Sequence, residues 1–140
     1  MVRTRVAIRS EALDPGALLA EVSDPRAGAS ALFVGTVRDH APGKEGVTHL
    51  FYEVYVEQVE AKIAEIVTEA VDRWPLCAAV VEHRSGRVEV EEPSVVVAVS
   101  SPHRGDAFEA ARFLIDSLKE RAPIWKQEHW AGGVEWIEGA

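Results

Sequence analysis

The chain has 140 residues, 47% hydrophobic and 27% charged, which fits one globular domain over 1–140. Its net charge of −8 argues against general nucleic-acid binding, which favours a basic face. No apolar run reaches membrane-spanning length, MVRTRVAIRS lacks a signal-peptide core, and the single Cys77 rules out an internal disulfide, so a cytoplasmic location is expected.

Residues 5–9 alternate, with Val6 and Ile8 inward, and predict a short edge strand. Asp14-Pro15 starts a helix, Asp as N-cap and Pro at the first helical position, with Leu18, Leu19 and Val22 on its apolar face. The stretch 29–38, ASALFVGTVR, predicts a central strand in which Gly35 marks a bulge or a close backbone approach. Residues 39–46, with Pro42, Gly43 and Gly46, read as a mobile loop. Alternation over 47–55 then pairs back as a long hairpin.

The clearest helix covers 57–74, where Val59, Ile63, Ile66, Val67, Ala70, Val71 and Trp74 form one stripe before Pro75. A buried strand follows over 77–82, then a turn at 83–86, a short strand over 87–90, and a solvated acidic turn at 91–94. The strand 95–100 turns at Ser100-Ser101-Pro102 into a second long helix, with Ala107, Ala111, Leu114, Ile115 and Leu118 inward. After Ala122-Pro123 the chain extends, and Ala131-Gly132-Gly133 separates the strands of a terminal hairpin. Hairpin signals dominate, which favours an α+β fold: a mainly antiparallel sheet with two long helices on one face.

The Ser101-Pro102-His103-Arg104 corner stands at a helix N-terminus, where free N–H groups and partial positive charge suit a phosphate; the alternative is a turn in solvent. Lys119 follows the last apolar stripe residue, and Lys126 follows Trp125. A lysine packed against apolar groups or another cation has a lowered pKa and serves as nucleophile or proton carrier. A cation at a helix C-terminus is also simply well placed. Arg38 ends an apolar strand beside a Gly-containing loop, either as a binding residue or as a strand-end charge. Together with His103 and Arg104, these residues would make a basic island for a small anion. The histidines His40, His49, His83, His103 and His129 lack paired metal-ligand spacing, so no metal is expected, and Cys77 reads as inert core. No GxSxG, Walker loop or GxGxxG occurs.

In chain order, GTVRDH (35–40), LFYEVY (50–55), RWPL (73–76), HRSG (83–86), SSPHRGDAFEA (100–110) and LKERAPIWKQE (118–128) make a specific ordered set. On them the chain resembles the large, catalytic subunit of molybdopterin synthase. The resemblance implies an α/β hammerhead-type fold and a homodimer flanked by two small ubiquitin-like sulfur carriers, a heterotetramer. It implies sulfur transfer from the thiocarboxylate on the carrier's C-terminal Gly-Gly tail to cyclic pyranopterin monophosphate, forming the dithiolene of molybdopterin with no cofactor of its own. By motif, Lys119 and Lys126 would be catalytic. Arg38, His103, Arg104, Gln127 and Glu128 would bind substrate, with pocket residues drawn from both members of the dimer. Gln58-Val59 and Gln127 depart from the family pattern, which often has Met-Ala and a basic residue there. The rival expectation is a non-catalytic subunit that binds the pterin phosphate or recruits the carrier.

Overall fold

The computed structural model describes residues 1–139; Ala140, the end of the expected 1–140 domain, lies outside the described residues. In chain order the elements are β1 (Arg3–Arg9), α1 (Pro15–Glu21), β2 (Ala29–Thr36), β3 (His40–Ala41), β4 (Lys44–Glu45) and β5 (His49–Val54). They continue with α2 (Val56–Arg73), β6 (Ala78–Arg84), β7 (Gly86–Glu89), β8 (Pro93–Ser101), α3 (Arg104–Arg121), β9 (Ile124–Trp130) and β10 (Gly133–Glu138). One sheet runs β1-β6-β8-β2, a second runs β10-β9-β5-β7, and β3-β4 is a small hairpin. Only the β1–β6 pair is parallel among the described strands, so the fold is α+β and mainly antiparallel.

The first sheet is covered on both faces, which explains why β6 and the apolar body of β8 read as unbroken runs. Ala79, Val81, Val97 and Val99 meet the stripes of α2 and α3, including Val59, Ile63, Ile66, Leu114 and Leu118. Burying one such side chain stabilises by roughly 1.5–3 kcal/mol. On the other face, Ala78, Val80, Val96 and Ala98 meet Leu18 and Val22 of α1. Asp14 caps α1 as expected, accepting from the Ala17 N–H at 3.1 Å. Leu19 does not join that face; one residue on from Leu18 it has rotated into solvent.

Three expectations are corrected. The strand over 29–38 is not central: among the described strands β2 pairs only with β8 and forms the sheet's edge, leaving Leu32 37% exposed. The long hairpin does not form, because β2 and β5 belong to different sheets and the residues between them fold as β3–β4, with Gly43 and Gly46 at positive φ. A local irregularity precedes the parting: register shifts between Gly35 and Thr36, and beyond this bulge only Thr36 still pairs with β8, opposite Pro93. Gly35 also meets the close approach expected of it, since a Cβ there would lie 2.7 Å from Val95 Cγ1. Lastly, the turn at 83–86 shrinks, because His83 and Arg84 stay buried in β6 and Ser85 alone links it to β7. Among the described residues no helix is long and apolar enough to cross a membrane.

Candidate active site

Pro123 follows the end of α3, whose last turn closes with Ala122 N–H donating to Leu118 O at 2.9 Å. The chain then enters β9, where side chains alternate between faces. Lys126 lies opposite Tyr52 of β5 and Glu128 opposite Leu50, both buried, so Lys126 and Glu128 point inward. Trp125 and Gln127 fall on the other face. The inward pair borders a cleft of about 370 Å³, whose walls include Arg38, Tyr52, Ser94 and Lys119. That volume suits a small molecule.

Arg38 reaches the cleft because the chain beside it is pinned. Val37 N–H donates to Glu92 O at 3.2 Å, and Glu91 N–H donates to Val37 O at 2.8 Å. Glu91 takes a φ of 76°, a conformation that costs a non-glycine residue about 1–3 kcal/mol. The acidic turn is therefore more than solvated surface: its backbone positions Arg38. Opposite, Tyr52 is buried and its hydroxyl pKa is raised by that burial, against a hydrogen bond with Ser94.

Lys119 emerges from the last turn of α3, exposed as a residue but with its amine at the cleft wall. Its pKa is lowered by burial first, then by the charges of Lys126 and Arg38. The Lys126 pKa is also lowered, chiefly by burial; Glu128 opposes the shift, while Arg38 and Lys44 add to it. Behind the cleft, His83 meets the Tyr52 ring edge-on at 4.9 Å between centroids, and its Nδ1–H donates to Arg84 O at 2.7 Å. Burial pushes His83 down to about 4, helped by the charge of Lys119, so it is neutral at pH 7. The site can therefore bind an anion among cations, two of which are eased toward giving up a proton.

Of the residues singled out from sequence, Arg38, Lys119, Lys126 and Glu128 meet at this cleft. Gln127 does not line it, because strand alternation turns it outward, where its Oε1 lies 2.6 Å from His129 Nε2. His103 and Arg104 do not line it either; both are exposed at the N-terminal end of α3. Tyr52, Ser94 and Lys44 had not been singled out. Tyr52 carried a signal in the alternation over 47–55, whereas Lys44 lay in a stretch with no periodicity. Among the described residues no group of three His, Cys, Asp or Glu is arranged to hold a metal.

The family model described as MoaE protein matches residues 8–121. The chain belongs to the MoaE family. A molybdopterin synthase catalytic subunit of Halalkalibacterium halodurans is 42% identical over 137 residues, covering 98% of this chain and 87% of that relative. Among solved structures, molybdopterin synthase from Staphylococcus aureus superposes with a TM-score of 0.87 at 34% identity, over 94% of this chain and 95% of that one. A complex of subunits 1 and 2 of molybdopterin-converting factor from Helicobacter pylori shares the fold, with a TM-score of 0.76 at 24% identity over 95% and 88%. The MoaE model stops at Arg121, whereas the match to the Halalkalibacterium relative covers 98% of the chain.

Proposed function

We propose that this MoaE-family chain is, over 1–140, the catalytic subunit of a cytoplasmic molybdopterin synthase. It transfers sulfur from the C-terminal thiocarboxylate of a small ubiquitin-like carrier to cyclic pyranopterin monophosphate, forming the dithiolene of molybdopterin. The observation that carries this is the convergence of Arg38, Lys119 and Lys126 on one cleft in a chain of net charge −8. Such an island suits a phosphorylated small molecule, and Arg38 is suited to the phosphate. Lys119 and Lys126 face the thiocarboxylate. Its sulfur attacks a substrate carbon and displaces the oxygen that carbon bore, which leaves once protonated. Water then cleaves the acyl–sulfur bond, returning the carrier as its carboxylate and leaving the sulfur on the substrate, while the lysines stabilise developing negative charge or move protons.

A homodimer would complete the site. β2 is a free sheet edge, and beside it Leu32 and Phe108 are exposed, the latter by 68%. Between β2 and α3 runs a groove of about 400 Å³, and Phe33 lines both this groove and the cleft. A two-fold axis across this face would run two α3 helices antiparallel, carrying His103 and Arg104 of one copy toward the Lys119 end of the other. Those two residues then act in substrate binding with Glu128, which lines the cleft; Gln127, on the opposite face of β9, takes no direct part. The Helicobacter neighbour is itself a two-subunit complex, which supports carriers flanking the dimer as a heterotetramer.

The test is a turnover assay with pure protein, thiocarboxylated carrier and cyclic pyranopterin monophosphate, product being read as the fluorescent oxidised pterin. Product from the wild type and none from Lys119→Ala is expected. Binding of both partners without product would instead indicate a non-catalytic subunit.

A further inference from the structure

Lys44 sits in β4, yet its side chain is only 11% exposed, unusual for a lysine. It reaches inward to two carboxylates: its Nζ lies 2.6 Å from Glu128 Oε1 and 2.8 Å from Glu135 Oε2. Glu128 and Glu135 are register partners on β9 and β10. Like charges directly opposite across a strand pair repel, and Lys44 is the cation that bridges them. The remaining oxygen of Glu128, Oε2, stands 4.0 Å from Lys126 Nζ, beyond hydrogen-bonding distance. One carboxylate thus lies between two lysines and leans on the one from the hairpin.

We propose that Lys44 is a positioning residue, holding Glu128 toward the hairpin so that the Lys126 amine is kept out of a close ion pair and remains available in the cleft. Why Lys126 must be available rests on the sulfur-transfer reading above; the geometry does not. The titratable groups around Lys126 are Glu128 on its own strand, Tyr52 on β5, Arg38 after β2, His40 on β3, Lys44 on β4 and Lys119 at the end of α3, with Glu135 of β10 behind Lys44. Without Lys44, Glu128 is free to close on Lys126, and a neighbouring cation is lost. Both changes favour the protonated amine.

The experiment labels surface and cleft amines with a small acylating reagent across pH, with neither carrier nor pterin present, and reads Lys126 by peptide mass spectrometry. In Lys44→Met, labelling of Lys126 below its pKa slows by roughly fivefold and its midpoint moves to higher pH. Lys44→Arg restores the wild-type rate, and in Lys44→Met/Glu128→Gln the slowing largely disappears. Lys44→Gln reports the same direction should Lys44→Met fail to fold. Wild-type labelling in a folded Lys44 variant, or slowing that survives in the double variant, overturns the proposal. Because no turnover is read, this result is independent of whether the sulfur-transfer reading holds.

Discussion

Lys119 and His103 stand at opposite ends of one helix. α3 spans 18 residues, so about 27 Å separates its ends. No small ligand in the Lys119 cleft can touch His103 of the same chain. If both serve one substrate, the second must come from another copy.

Complementation between two damaged subunits tests this. His103→Ala and Lys119→Ala are each expected to lose turnover, whereas a refolded mixture recovers up to about a quarter of wild-type activity, because each mixed dimer keeps one intact site. Mixed dimers confirmed by native mass spectrometry that stay inactive would rule out a shared site.

Function and stability should oppose each other at the lysines. A lysine whose folded pKa is lowered binds fewer protons folded than unfolded, so its destabilising effect is fully present below the folded pKa and fades as pH rises toward ~10.4. Lys126→Met should therefore raise the thermal midpoint at pH 7 while turnover falls by roughly 10²–10⁴-fold. Paired melting curves and turnover assays check both halves.

His83 sets an acid-side weakness. With its folded pKa near 4 against an ordinary 6.5, the unfolded chain takes up a proton between those values and the folded chain does not. Stability therefore falls as pH drops from 6.5 to 4, by roughly 3 kcal/mol from this group. Denaturant unfolding of wild type and His83→Gln at pH 7 and pH 4.5 should show a smaller acid loss in the variant.

Gly35→Ala probes the bulge. The added methyl would press on Val95 and Phe33, the latter at 3.3 Å. A cost of about 1–3 kcal/mol is expected, visible as a lower unfolding midpoint. Since Gly35 also borders the cleft, KM for the pterin substrate should rise.

Much of this protein was legible in the sequence where the signal is local. The stripe of α2, the inward residues of α3, the stop at Pro123, the terminal hairpin and the bulge at Gly35 all follow from periodicity and backbone chemistry acting over a few residues. The family motifs also brought out Arg38, Lys119, Lys126 and Glu128, which the fold gathers at one cleft. Tertiary structure alone decided that β2 is an edge, that β2 and β5 part into different sheets, and that His103 and Gln127 face away from the cleft. It alone decided that Lys44 turns inward to Glu128, 84 residues along the chain. The physical reason is that apolar patterning marks which faces are buried but not which strand edges meet, and a buried charge is tolerated only where folding brings its counter-charge to it.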